Sequence, residues 1–192
     1  MKRIGLGLMF ALQAAALSAH AQDDTTTAQL AQQCFACHGP NGNSQNPVYP
    51  VLAGQDWRYI YNELMDYQAG RRTGAVMSAV ARTLTRDQAI ALGNYFAAQK
   101  QAPLAFTPDA ARVQAGHKIA DTNLCTMCHL GDFVGQNEIP RVAGQWPQYV
   151  TKQLEDFRSG HRHNDGGSMT SVAHNLTDED IADLAQYVAN LN

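Results

Sequence analysis

The sequence predicts an all-α chain made of two copies of one small unit, and three observations carry that prediction. The first is a duplication: Pro50-Val51-Leu52-Ala53-Gly54-Gln55 matches Pro140-Arg141-Val142-Ala143-Gly144-Gln145, and Tyr59, Leu64 and Gly70 fall on Tyr149, Leu154 and Gly160, each 90 positions on. Further along, Met77 to Thr85 falls on Met169 to Thr177, now 92 positions on, so the second copy holds a two-residue insertion near His161 to Gly167. A repeat of this length is one supersecondary unit used twice. The second observation is periodicity: no stretch alternates with period two, while apolar residues recur at helical spacing. The third is a pentapeptide, Cys-x-x-Cys-His, present once in each half.

The elements follow in chain order. Met1-Lys2-Arg3 is a charged start, Ile4 to Leu17 is mostly apolar, and Ala19-His20-Ala21 is a small-x-small cleavage site, which together predict an export signal over residues 1–21. The apolar stretch is too short for a membrane anchor, which needs about 20 residues. A helix should lead into each cysteine motif, in the second copy from about Pro108. Gly39 to Asn46 reads as loop. Helices are expected at Arg58 to Ala69 and Gln148 to Ser159, each closed by a glycine, Gly70 or Gly160. Ile181, Leu184, Ala185 and Val188 form the stripe of a last helix, and Ala89, Leu92, Gly93 and Phe96 are their counterparts. Each starts at a cap: Thr85 with Gln88 forms a capping box, and Thr177 precedes Asp178, Glu179 and Asp180 at the positive end of the helix dipole. Two prolines and no helical stripe mark residues 102–110 as the linker. The first domain is then 22–101 and the second 111–192.

The pentapeptides, Cys34-Phe35-Ala36-Cys37-His38 and Cys125-Thr126-Met127-Cys128-His129, use every cysteine in the chain. Two thiols three positions apart can each add to a vinyl group of one haem, and the adjoining histidine is then held against the iron. A redox dithiol or half of a zinc site would also use Cys-x-x-Cys. The histidine follows both times, however, and zinc sites pair such motifs about 12–20 residues apart rather than across a whole domain. Two covalently attached haems are the expectation, with His38 and His129 as proximal ligands. Units this small barely support a core of their own, so each haem should complete one.

Counting candidates for the sixth iron ligand favours methionine. Between Gln22 and Gln101 the only histidine is His38. Met65 is matched by Glu155, whereas Met77 is matched by Met169, and Met127 lies inside a pentapeptide on the proximal side. Met77 and Met169 are therefore the expected distal ligands. His161, His163 and His174 leave an alternative open in the second half; His161 or His163, beside the insertion, would as a ligand lower the potential of that haem. Pro50 and Pro140 lie twelve and eleven residues after the proximal histidines, placed for their carbonyls to accept the second ring N–H.

With these residues in hand, the chain resembles the dihaem class I cytochromes c, and among them the cytochrome c4 family. The matching features are the export signal, the two pentapeptides, Pro-x-x-Ala-Gly-Gln in each half, the glycine-closed helix, and a methionine ahead of a capped final helix ending near Tyr95 or Tyr187. The resemblance covers nearly all of the chain after the signal. It implies two cytochrome c folds side by side, each a few helices around one covalently bound haem. They would pass single electrons in a respiratory chain, in the periplasm, between a donor and an acceptor such as a terminal oxidase, reductase or dehydrogenase. One departure stands out: Cys37-His38-Gly39 becomes Cys128-His129-Leu130-Gly131, so the loop beside the second haem should take a different path.

Charge separates the halves further. Residues 22–101 hold six Lys/Arg and six Asp/Glu, while residues 102–192 hold six and eleven. This asymmetry predicts a different partner for each domain. His/Met coordination leaves no open iron position, and no Ser/His/Asp arrangement, phosphate loop or basic patch for nucleic acid is present, so an electron carrier is expected rather than an enzyme. The alternatives are a cytochrome subunit built into a periplasmic dehydrogenase complex and, from another class, a haem peroxidase or gas sensor with five-coordinate iron.

Overall fold

A computed structural model describes residues 26–191; the predicted export signal lies outside them. The described chain is helical, with an isolated antiparallel bridge between Gln136 and Ile139 as its only extended pairing. Residues 26–32 are helical (α1) and lead into α2 (Phe35–His38). The rest of the first unit is α3 (Trp57–Ala69), α4 (Met77–Ala81) and α5 (Arg86–Ala97). The second unit repeats it as α6 (Ala110–Thr122), α7 (Thr126–His129), α8 (Pro147–Ser159), α9 (Ser168–His174) and α10 (Asp178–Ala189).

The local chemistry explains these limits. Asp56 caps α3 by accepting from the Arg58 N–H, and α3 and α8 end at Gly70 and Gly160, both left-handed at φ 73 and 77. Thr85 and Gln88 form the capping box at α5; Thr177 and Asp180 form a second one at α10, with Asp in the usual Glu/Gln place. The short α4 and α9 have too few residues for periodicity to reveal them. In the first unit α3 packs on α5 and α4. In the second α10 packs on α6 and α8. Each unit has its own apolar core, built on Ile60, Leu64, Leu92 and Phe96 in one and on Leu154, Ile181, Leu184 and Val188 in the other.

The two units are joined by a third cluster, in which Trp146 packs with Val51 and Ala53 while Leu104 and Phe106 of the connecting segment close over it. The Trp146 indole N–H donates to the Ser44 carbonyl at 3.0 Å. Gln145 reaches the Val51 backbone, accepting from its N–H at 2.8 Å and donating to its C=O at 3.1 Å. Gln55 does the same to Arg141, at 2.9 and 2.8 Å. The two glutamines are counterparts in the repeat, as are Val51 and Arg141, so the interface has approximate two-fold symmetry.

The expectation of a different loop path after His129 does not hold at its start. Leu130 (φ 63, ψ 174) takes the same unusual backbone as Gly39 (φ 73, ψ 166), and Asp132 repeats the left-handed Asn41. The backbone hydrogen bonds also repeat: the Leu52 and Ala53 N–H groups donate to the Gly42 carbonyl, as those of Val142 and Ala143 do to Phe133. Hydrogen bonding of this turn outweighs the preference of leucine, which ordinarily avoids that region. The paths part only afterwards, where the second copy is one residue shorter and forms the Gln136–Ile139 bridge.

Candidate haem-binding centres

One helical turn assembles each attachment motif. The His38 N–H donates to the Cys34 carbonyl at 2.9 Å, and the His129 N–H to that of Cys125 at 3.0 Å. First cysteine, second cysteine and histidine thus stand at i, i+3 and i+4, on one face. None of the four cysteines forms a disulfide. Burial pushes the Cys34 and Cys125 thiols up, with smaller contributions from Cys37 at the first and from Asp121 and Cys128 at the second, where a backbone hydrogen bond acts against it. Redox-active dithiols and reactive thiolates need the opposite shift.

Both motif histidines are buried, and their orientation is set from behind. The Nδ1–H of His38 donates to the Pro50 carbonyl at 2.9 Å, and that of His129 to the Pro140 carbonyl at 2.9 Å. Since a carbonyl only accepts, the proton sits on Nδ1 and the Nε2 lone pair is free. Burial lowers the affinity of both rings for a second proton, with the proline hydrogen bond acting weakly against it. A neutral, rotationally fixed imidazole with an available Nε2 is what an iron-bound histidine requires.

The methionines complete the picture. Met77, at the start of α4, packs against the first core together with Cys34 and Phe35. Met169, in α9, packs against the second together with Cys125. Met65 also reaches the first core, and Met127 is 72% exposed. His161 and His163 are exposed, with Nδ1 atoms near the Ser159 hydroxyl and the Gly160 carbonyl at 3.2 Å each.

The two centres differ in one buried exchange of volume. Gly42 lets the α5 residue Phe96 approach so closely that a Cβ there would lie 2.8 Å from its ring. In the second unit the glycine position is Phe133, buried and stacked on His129 at 6.2 Å between ring centres, and the Phe96 position is the smaller Val188. The aromatic ring has moved from helix to loop. Sequence pattern did not reveal this pair or the inter-domain glutamines, though all stand at matched repeat positions.

The chain matches the cytochrome c family over residues 25–100 and again over residues 113–192. Cytochrome c4 of Azotobacter vinelandii is 40% identical over 91% of this chain and 92% of its own length. The crystal structure of reduced cytochrome c4 from Pseudomonas stutzeri superposes with a TM-score of 0.81 at 33% identity, covering 88% of this chain and 98% of that one. A relative in Thiomonas intermedia named thiosulfate dehydrogenase electron acceptor is 33% identical over 83% of this chain and 78% of its own. Repeated attachment turns, fixed imidazoles and full-length similarity agree: the chain belongs to the cytochrome c family, as a two-domain, cytochrome c4-like electron-transfer protein carrying two covalently bound haem c groups.

Proposed function

We propose that this cytochrome is a free periplasmic carrier in which residues 22–101 and 111–192 each hold one haem, joined through residues 102–110. Cys34, Cys37, His38 and Met77 hold the first, and Cys125, Cys128, His129 and Met169 the second. The observation that carries this is the presence, in both domains, of a thiol pair on one helical face, a histidine fixed through Nδ1, and a methionine in the same core as the first cysteine. When bound, haem supplies one-electron exchange at iron. The protein residues do the rest. Pro50 and Pro140 hold the imidazoles, α4 and α9 deliver the thioethers, and the apolar cores keep water away, which tunes the potential. The test is an optical redox titration that scores the far-red methionine–iron band in wild type, Met77→Ala and Met169→Ala. Loss of half the band in each variant supports the assignment; an unchanged band in either overturns it at that site.

The neutral first half and the acidic second half support docking of a different partner by each domain. Among the described residues no helix is long and apolar enough to cross a membrane. Rates with donor and acceptor should respond unequally to ionic strength, and rates insensitive to salt with both would sink this idea. A second reading, in which the chain serves a dehydrogenase as a bound subunit, draws on the name of the Thiomonas relative. Copurification with a larger subunit at constant ratio would favour it.

A further inference from the structure

Between the domains lies a closed ring of four side chains at two pairs of matched repeat positions: Glu63 with Gln153, and Arg72 with Arg162. Glu63 accepts from Arg72 and from Arg162, both at 2.6 Å, one on each carboxylate oxygen. Across from it, the Gln153 Oε1 accepts from Arg72 at 2.7 Å and from Arg162 at 2.9 Å. Each arginine also donates to a tyrosine hydroxyl across the interface, Arg72 to Tyr149 at 3.0 Å and Arg162 to Tyr59 at 3.2 Å. Asn164, in the segment with the second-copy insertion, also donates to Glu63 at 3.1 Å. The arginine side chains are only 9% and 8% exposed, and that of Glu63 13%.

The charge of this ring does not cancel. Two guanidinium groups face one carboxylate, because the position matching Glu63 holds an amide; Asp66, which shares Asn164 with Glu63, is itself paired with Arg71, so the ring keeps an excess positive charge where screening is weak. The two arginines also lie on the chain segments that lead into the two methionines. Arg72 and Arg162 precede Met77 and Met169 by five and seven residues. Each guanidinium lies over an aromatic ring of its own domain, Tyr67 at 4.8 Å and Phe157 at 4.4 Å, and Tyr67 packs against the core that contains Met77.

We propose that the Glu63–Arg72–Gln153–Arg162 ring is a shared electrostatic control on both haems, setting their two potentials together through a charge that belongs to neither domain alone. Oxidised haem carries one more positive charge than reduced haem, so a buried cation nearby favours reduction at both sites. The inference rests on His/Met ligation of each haem. An isosteric series tests it in the full dihaem chain: Glu63→Gln makes the ring more positive, Gln153→Glu neutralises it, and the double swap restores the charge with the carboxylate moved across the interface. Potentials are read for each haem by redox titration, with the methionine–iron band as a check on ligation.

Both potentials should rise in Glu63→Gln and fall in Gln153→Glu, each by at least about threefold in the reduced-to-oxidised ratio at fixed poise, roughly 30 mV for a one-electron couple. The double swap should return both to near the wild-type values. If Glu63→Gln and Gln153→Glu instead shifted the potentials in the same direction as each other, the cause would be loose packing rather than charge, and the proposal would be overturned. So would a shift confined to one haem. Unchanged potentials with the band intact would refute the ring's role and leave the ligands standing, whereas a lost band would fault the ligation on which it rests.

Discussion

The exchange of Phe96 and Gly42 for Val188 and Phe133 can be tested as a double-mutant cycle in the second domain. Phe133 is 3% exposed, packs edge-on to Tyr187 at 5.7 Å and stacks on His129. Deleting such a ring costs about 3–5 kcal/mol. Phe133 also has φ 56, where a non-glycine residue is strained by about 1–2 kcal/mol, so Phe133→Gly recovers part of the loss and should cost about 1–4 kcal/mol. Val188→Phe alone, with Phe133 still present, overpacks the site and should cost about 1–3 kcal/mol. Independent effects would sum to about 2–7 kcal/mol. If the first domain shows the correct rule, the double variant refills the space as Phe96 does over Gly42, and should cost under about 2 kcal/mol. Denaturant unfolding of the haem-loaded protein, followed at the haem absorbance, measures all four corners. A double variant no more stable than Phe133→Gly alone would refute complementary packing at these positions.

Further outcomes follow from the interface, the loop and the buried phenols. Gln145→Ala strands the N–H and C=O of buried Val51 and should cost about 2–4 kcal/mol in denaturant unfolding, more than Gln55→Ala, whose partner Arg141 is only half-buried. Leu130→Gly removes a residue from backbone that suits glycine and should stabilise the second domain by about 1 kcal/mol in a thermal melt, after the loss of a half-buried side chain. The Tyr59 phenol is pushed up to about 12, chiefly by burial, with Arg162 acting against it. Its contribution to stability is whole below the ordinary value near 10 and falls as pH rises toward 12. Unfolding free energy measured from pH 9 to 12 should therefore decline more steeply in wild type than in Tyr59→Phe, and equal slopes would remove Tyr59 as the cause.

Much of the centre is legible before folding because its chemistry is local. Cys34, Cys37 and His38 need only one helical turn to share a face, so their spacing states their geometry. The capping box at Thr85 and the left-handed glycines at Gly70 and Gly160 are equally local, and each lies where pattern puts it. Leu130 shows the limit of that logic. Its type argues against the backbone it adopts, yet the loop hydrogen bonds to Phe133 hold it there. Side-chain preference decides a turn only when longer-range bonds do not.

By itself the sequence determined the attachment turns, the duplication, the longer helices and the pairing of each histidine with a proline carbonyl, because these depend on spacing within one repeat. Tertiary structure alone decided how the repeats face each other: that Gln55 and Gln145 reciprocally bond the opposite domain, and that Glu63, Gln153 and two arginines close into one ring. The physical reason is distance along the chain. Partners such as Tyr59 and Arg162 lie 103 residues apart, and nothing in their local sequence encodes a contact that exists only once two folded surfaces meet.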